Sequence, residues 1–261
     1  MLDPEISISD AVTKVVGSRA RMNYFTYLDE DLGFIYFSVP VVANVRTVGS
    51  LLKGMAHVEG KVFDLPSIKP IFDRNNGLLS KPGHVGFNAF GRMLEDDSMI
   101  KFAFVRNPVE RFSAVYRNQF SINTKHGRQR VKLFEHLGIS LDENLSMVDL
   151  AEILTEEDGL YDISPQLMTQ RSMIAYDLVD FDFIGRHERW EEDYPAIAME
   201  IFGCETPVFD PTTELNIDPE GTKLFALVDD ETRAAVEEAY AEDCEMIEEI
   251  KALFPDGFAE S

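Results

Sequence analysis

The sequence predicts an α/β protein with three layers, in which helices cover both faces of a central parallel sheet. Two stretches, 34–52 and 102–120, carry this prediction. Each begins with a short apolar run rich in aromatic and β-branched residues, then breaks and continues with apolar residues at helical spacing. A third apolar run, Asp180–Ile184, also leads into a helical segment. Because parallel strands need crossover connections, repeated strand–loop–helix units favour this architecture.

The individual elements follow from local patterns. Phe34–Val39 predicts a first strand that ends at a proline, and Ala43–Leu52 predicts the helix after it. Phe102–Val105 predicts a second strand, and helical spacing resumes at Glu110. The last element, Asp229–Phe254, has apolar residues at three- and four-residue steps with acidic residues between them, so we expect one amphipathic helix that covers the sheet.

The composition fits a folded chain in a reducing compartment. Its 261 residues, 45% of them hydrophobic, can bury a substantial core. Cys204 and Cys244 form no C-x-x-C pair, which argues against a disulfide framework and a zinc site, so no metal is expected. The acidic first residues lack a signal-peptide pattern, and no apolar run approaches the roughly 18 residues that span a bilayer. We therefore expect a soluble, cytoplasmic protein.

The charge is strongly negative but unevenly distributed. The formal net charge is −23. Residues 1–130 hold 17 Lys and Arg against 13 Asp and Glu, whereas residues 131–261 hold 7 against 34. An acidic protein repels nucleic acid and anionic membranes, so neither is expected as a partner. The sequence carries no signal for an oligomeric state.

The turn after the second strand has the features of an anion site. Arg106-Asn107-Pro108 ends the strand, and a helix with another arginine follows. N–H groups at a helix N-terminus favour anions, and arginine adds a planar, bidentate donor. The alternative is a βα unit whose arginines are simply solvated.

The residues V-R-N-P-V-E-R-F-S-A-V-Y at 105–116 resemble the 3′-phosphate-binding segment of carbohydrate-type, Golgi-family-like (family 2) sulfotransferases. These enzymes use 3′-phosphoadenosine 5′-phosphosulfate (PAPS), whose desulfated form is PAP. The resemblance implies a P-loop-NTPase-like sulfotransferase fold in which Arg106 and Ser113 bind the 3′-phosphate. In the family the serine usually stands eight residues after the arginine, where this chain has Ala114 and Ser113 comes one position earlier.

The loop after the first strand occupies the place of the family's 5′-phosphosulfate loop, P-K-x-x-x-T-S or P-K-V-A-C-T. Matching on Pro40 sets Val41 at the lysine that stabilises charge on the bridging oxygen, and Val45 at the threonine. The cofactor-binding residues that the resemblance implies here are Val41, Val42, Ala43, Asn44, Val45 and Thr47.

Two interpretations of the missing lysine stay open. In one, Arg46, in the first turn of the following helix, supplies the catalytic cation, with Asn44 and Thr47 as hydrogen-bond partners. In the other, the chain is a degenerate relative that binds PAP or a glycan without catalysis.

A second resemblance concerns a possible catalytic base. G-H-V-G-F-N-A-F-G at 83–91 resembles the G-H-V-x-F-x-x-F-x-x-F-G stretch of uronyl 2-O-sulfotransferases. In those enzymes the histidine is the proposed base, which implies that His84 deprotonates the acceptor hydroxyl. Imidazole is suited to this role because it can accept a proton near neutral pH. The alternative is a loop histidine without chemistry.

Two further stretches complete the resemblance. D-F-I-G-R-H-E-R-W-E-E-D at 182–193 is similar to the family's D-F-I-G-x-x-E-x-x-x-E-D, which implies that Arg186 approaches the nucleotide and that Glu188 is a structural acid. Y-A-E-D-C-E-M-I at 240–247 is similar to the family's closing helix. The basic cluster 125–130 either lines the mouth of a cleft or is solvated.

The expected protein is a single sulfotransferase-like domain, 1–261. Within it we expect an N-terminal extension at 1–33, a nucleotide-binding core at 34–203, and a linker with the C-terminal covering helix at 204–261. The resemblance implies an in-line, metal-free transfer of the PAPS sulfuryl group to a carbohydrate-like hydroxyl. A purely structural protein or a kinase of the same topology are further alternatives. The acceptor is not specified, because specificity resides in loops.

Overall fold

A computed structural model describes residues 6–63, 79–121, 124, 127–157, 159–214 and 228–253. The chain forms two compact units that interleave along the sequence. Unit 1 comprises Met1–Val105, Gln170–Pro219 and Ile250–Ser261, and unit 2 comprises Arg106–Thr169 and Glu220–Glu249. The expectation of one domain with boundaries at 33 and 203 stays a prediction.

Unit 1 contains a mixed, mostly parallel sheet. Its strands are β1 (Thr26–Asp29), β2 (Phe34–Phe37), β3 (Ile100–Val105) and β4 (Phe183–Arg186), in that spatial order. β2, β3 and β4 are parallel neighbours, and β1 pairs antiparallel with β2. The predicted α/β class is therefore confirmed, and all three predicted strands are present with shifted ends.

The α-helices in the part of the chain that the structure describes are α1 (Ile8–Val16), α2 (Arg19–Phe25), α3 (Asn44–Val58), α4 (Pro82–Val85), α5 (Phe87–Leu94), α6 (Pro108–Gln119), α7 (Arg128–Leu137), α8 (Met147–Glu156), α9 (Leu160–Ile163), α10 (Gln170–Met173), α11 (Trp190–Phe202), α12 (Pro211–Glu214), α13 (Asp230–Ala239) and α14 (Ala241–Leu253).

Burial explains why the central strands are so apolar. Every residue of β2 is buried, as are Lys101–Val105 in β3. A strand buried on both faces reads as a continuous apolar run, which is the pattern that identified both strands in the sequence. Two helix groups of unit 1 cover the sheet: α11 packs on α3 and β4, while α2 and α4 pack on β1.

The strand β1 falls within the predicted N-terminal extension and was not expected. It forms a hairpin with β2 through an acidic turn. The Asp29 carboxylate accepts hydrogen bonds from the N–H groups of Asp31 (3.1 Å) and Leu32 (2.9 Å), and Gly33 has a left-handed φ of 69°. Thr26–Asp29, within the predicted extension, is therefore part of the sheet.

Unit 2 is helical, and its C-terminal part differs from the prediction. The single helix expected over Asp229–Phe254 is two helices, α13 and α14, because the backbone leaves helical geometry at Tyr240 (φ −119°, ψ 35°). The Tyr240 hydroxyl donates to the Leu167 carbonyl at 2.8 Å, which fixes the break. α13 packs against α8 and α6. Phe254 itself lies outside the described residues.

Candidate functional site

The turn at Pro40–Ala43, which joins β2 to α3, has unusual backbone geometry. Val41 and Ala43 are both left-handed, with φ of 59° and 51°. A β-branched residue with positive φ is a genuine outlier, and such strain costs about 1–3 kcal/mol per residue. Val41, Val42 and Ala43 are all buried, so packing holds the turn in this shape. Turns with left-handed residues can aim successive N–H groups at an anion.

The start of α3 adds donors to this turn. The N-cap residue Ala43 makes no side-chain hydrogen bond to the helix, so no capping side chain at this position competes with a ligand for the first N–H groups. Two backbone N–H groups of the 41–47 loop already donate within the protein: that of Val42 to the Val39 carbonyl (3.2 Å) and that of Thr47 to the Ala43 carbonyl (2.7 Å). Asn44 and Val45, the first two residues of α3, are thus better placed to contact an anion through their N–H groups.

Arg46 is held by two neighbouring side chains of α11. Its guanidinium lies 4.1 Å from the centroid of the Trp190 ring, and its Nη2 donates to Glu191 Oε1 at 2.7 Å. The Arg46 side chain is 23% exposed, whereas that of Glu191 is 77% exposed. Arg46 is therefore an oriented cation whose carboxylate partner faces solvent.

His84 lies in the short helix α4 and is exposed. Its segment is fastened to α2 and β1, because the N–H of Gly83 donates to Asn23 Oδ1 in α2 at 2.7 Å and Ser80 forms a bridge with Leu28 in β1. The first residue of β1 pairs with Phe37, the last of β2. The His84 segment is thus attached beside β1, toward the carboxyl end of β2, from which the Pro40–Ala43 turn departs.

Arg186 is the last residue of β4 and pairs with Val105, the last residue of β3, at the carboxyl ends of the parallel strands. Its N–H donates to Asp193 Oδ2 at 2.9 Å. Asp193 is 1% exposed, and this burial raises the pKa of its carboxyl group. Asp193 is thus an acid that holds this turn, and the structural role of Glu188 stays a prediction.

Arg106 and Ser113 belong to unit 2 and are described apart from the residues above. Arg106 follows β3 directly in the chain and is 1% exposed, with its Nε 3.5 Å from Glu110 Oε2. Ser113 is 2% exposed in α6, and the neighbouring Ala114 is also buried. The sequence motif therefore supplies a buried guanidinium and a buried hydroxyl.

The first N–H groups of α6, which the sequence predicted to face an anion, have an acceptor within the protein. Asn107 caps the helix, and its Oδ1 accepts hydrogen bonds from the N–H groups of Val109 (3.0 Å) and Glu110 (3.2 Å). The residue between, Pro108, has no N–H to offer. Any anion at this turn would be held by the Arg106 side chain and not by the helix end.

Two buried arginines were not identified as structural from the sequence. Arg111 donates to the backbone carbonyls of Met168 (3.0 Å) and Gln166 (2.8 Å). Arg130, predicted to be solvated or at a cleft mouth, is instead fully buried, and it donates to the Glu143 carbonyl at 2.7 Å. The position of Arg111 one turn before the buried Val115 was the available signal. Lys125 and His126 of the same basic cluster lie outside the described residues.

The 41–47 loop, the His84 segment and Arg186 thus lie toward the carboxyl ends of the parallel strands of unit 1, with the His84 segment beside β1 and Arg186 on β4, the two outer strands. Ligands of open α/β sheets bind beyond these strand ends. The described residues contain no cluster of three His, Cys, Asp or Glu side chains that could hold a metal ion.

Comparison with known proteins identifies the family. A family model described as "Sulfotransferase family" matches residues 12–247, and the chain belongs to that family. It is 33% identical over 111 residues to carbohydrate sulfotransferase 14 of Danio rerio, which covers 39% of this chain and 29% of the relative. It is 26% identical over 195 residues to carbohydrate sulfotransferase 14 of Homo sapiens, which covers 68% and 46%. No solved structure matches it significantly.

These comparisons confirm the predicted family and correct the predicted location. The chain spans less than half the length of the curated relatives it matches. The expectation of a cytoplasmic protein is wrong, because the curated relatives are carbohydrate sulfotransferases, whose names point away from a cytoplasmic location. Within the described ranges, no helix is both long enough and apolar enough to cross a bilayer.

Proposed function

We propose that this chain transfers the sulfuryl group of PAPS to a hydroxyl group of a carbohydrate acceptor. The observation that carries the proposal is the Pro40–Ala43 turn, which is buried, left-handed at two residues, and continues into α3 without a capping side chain. The chain belongs to the sulfotransferase family, and the sequence resemblance at Pro40 assigns the family's 5′-phosphosulfate loop to this turn. The acceptor class is supported by the names of both curated relatives.

The residues present suit an anionic nucleotide donor. The 5′-phosphosulfate would contact the 41–47 loop, chiefly through N–H groups at the start of α3 and the Thr47 hydroxyl. The 3′-phosphate would be bound by the Arg106 guanidinium and the Ser113 hydroxyl, and Arg186 would approach the nucleotide from the end of β4. Arginine is well matched to phosphate because its planar N–H groups can donate in pairs.

The chemistry assigned to the chain is the movement of one proton and the stabilisation of one charge. PAPS supplies a sulfuryl group whose bond to the 5′-phosphate oxygen breaks as the acceptor oxygen bonds to sulfur, with PAP as the product. His84 takes the proton of the acceptor hydroxyl. Arg46 offsets the negative charge that develops on the bridging oxygen, the role that the family assigns to lysine.

One observation favours a second function. Val41 stands at the family's lysine position, is 8% exposed, and carries no charge. A relative that binds PAP or a glycan without catalysis would tolerate this change. The two functions differ in one outcome, because the second predicts PAP binding without sulfate transfer.

Calorimetric titration of PAP into the wild type and Arg106→Ala tests the donor site. We expect wild-type binding and a loss of about tenfold to a hundredfold in affinity for Arg106→Ala, since a charge-assisted hydrogen bond contributes about 1.5–3 kcal/mol. Arg128→Ala, which removes an exposed arginine, is the matched control and should bind as the wild type does. Arg106→Lys keeps the positive charge if the alanine variant folds poorly. A folded wild type that does not bind PAP would overturn the proposal.

A transfer assay with labelled PAPS and a panel of carbohydrate acceptors tests the role of His84. We expect His84→Ala to lower the rate of sulfate transfer by about a hundredfold to ten-thousandfold, because it removes a general base. PAP affinity should be unchanged, and the exposed position makes misfolding a poor explanation for the loss. An unchanged transfer rate would exclude His84 as the base.

A further inference from the structure

The sole tryptophan of the chain contacts two residues of the predicted donor loop. Trp190 begins α11 and is 2% exposed. Its ring lies 4.1 Å from the Arg46 guanidinium, and its Nε1–H donates to Thr47 Oγ1 at 2.9 Å. One side chain therefore touches both polar residues in the first turn of α3 that the mechanism uses.

The orientation of this indole is itself fixed. The Tyr194 ring stacks on it with centroids 4.7 Å apart and an interplanar angle of 8°, and the Phe104 ring lies 6.3 Å away. A buried ring in such contacts can hardly reorient, because interiors are close-packed. An arginine whose guanidinium packs on the face of this ring can therefore point in only a limited range of directions.

The second contact of Arg46 is different in kind. Glu191 is 77% exposed, and exposed ion pairs contribute only about 0.2–1 kcal/mol. An incoming anion can therefore replace the Glu191 carboxylate, while the buried Trp190 contact is retained. Trp190 is thus a permanent support of Arg46 and Glu191 an exchangeable partner, while Asp210 also lies within electrostatic range of the guanidinium.

We infer that Trp190 is a positioning residue for the donor loop: it holds Arg46 and Thr47 toward the phosphosulfate, and Glu191 occupies Arg46 until the donor binds. This inference rests on the proposed function. Trp190 touches no reacting atom in it. Its effect on catalysis passes entirely through Arg46 and Thr47.

Because Trp190 is the sole tryptophan, its emission reports on this contact directly. Titration of PAP into the wild type should change tryptophan emission with the same affinity that calorimetry gives. Tyr194→Phe keeps the stacked ring and serves as the control, with an unchanged response. Glu191→Gln, which removes an exposed competing charge, should raise PAP affinity by about twofold to fivefold.

Transfer kinetics separate positioning from general stability. Trp190→Phe keeps an aromatic ring but loses the N–H, and we expect kcat to fall by about tenfold with PAP affinity within about threefold of wild type. In a Thr47→Val background the same substitution should change kcat less than twofold, since the hydroxyl that the indole N–H holds is gone. Thr47→Val removes the hydroxyl acceptor and provides a second variant if Trp190→Phe is unstable.

The outcomes distinguish this inference from the proposed function. No PAP binding to the wild type would overturn both. PAP binding without any change in tryptophan emission, or equal losses from Trp190→Phe with and without the Thr47 hydroxyl, would overturn the inference alone. A shared loss of stability and affinity in Trp190→Phe, with kcat unaltered, would assign Trp190 to the core only.

Discussion

Buried arginines in this chain differ in what their guanidinium groups contact. Arg111 and Arg130 donate to backbone carbonyls, so their hydrogen bonds are spent within the fold. Arg106 has a long contact of 3.5 Å to the part-exposed Glu110. The sequence resemblance assigns the phosphate to Arg106 and not to Arg111, and the backbone contacts of Arg111 suit a structural role for that residue.

Replacement of Arg111 by alanine tests its structural role. The substitution leaves the Gln166 and Met168 carbonyls without their donor. It also removes a cation near the buried Asp243. Burial lowers the pKa of Arg111, and the negative charge of Asp243 acts against that shift. We expect a loss of about 3–5 kcal/mol in the free energy of unfolding, measured by urea denaturation. Arg128→Ala, on the exposed side of α7, should change it by less than about 0.5 kcal/mol. Similar small losses for both variants would contradict the structural role.

The sequence could identify Arg106 but not the role of Arg111. The V-R-N-P-x-E-R pattern marks a strand end and a helix start, which local spacing reveals. The carbonyls that Arg111 binds stand 55 and 57 residues later, and nothing local encodes that contact. The Asn107 cap was visible as a residue type, yet its consequence for the helix N–H groups was missed.

Helices and strands were predictable where burial imposes a simple pattern. β2, β3 and α3 follow from apolar runs and helical spacing. β1 has only four residues and no alternation long enough to detect, and it is held by pairing with β2. The break between α13 and α14 was missed because the acidic, helix-forming sequence continues through it. A tertiary contact, the Tyr240 hydrogen bond, overrides that propensity.

The interior of α3 offers a test of packing against helix propensity. Propensity alone favours alanine over Gly49 by about 1 kcal/mol. A Cβ at this position would lie 2.2 Å from Cδ1 of Phe209, a fully buried residue whose N–H donates to Ser50 Oγ at 2.7 Å. We therefore expect Gly49→Ala to lower the free energy of unfolding by about 1–3 kcal/mol, because the ring cannot withdraw.

The matched control for Gly49→Ala is the same substitution in a Phe209→Ala background. Removal of the ring removes the clash, so alanine should there be neutral or stabilising. Both pairs can be compared by chemical denaturation. The same loss in both backgrounds would show that Phe209 is not the cause.

At the scale of the whole molecule, the boundary between the basic and the acidic half of the sequence does not coincide with the boundaries of the compact units. The acidic half of the sequence, 131–261, contributes to both compact units. The interleaving could not be read from composition, because it depends on which distant segments pack together. With a net charge of −23, the molecule repels a nucleotide donor at long range, so the local arginines must supply the attraction. Their concentration in residues 1–130 was visible from the sequence.

The left-handed turn at Val41 and Ala43 also bears on how such loops diverge in evolution. Every residue except proline carries a backbone N–H, so a loop whose ligand contacts come from its backbone can change its side chains and keep its contacts. The residues of the sequence motif then change, while the packing beneath the loop preserves its backbone shape. Searches keyed to a signature lysine would pass over such chains. Their relationship to the family would be visible in the backbone torsion angles of the loop.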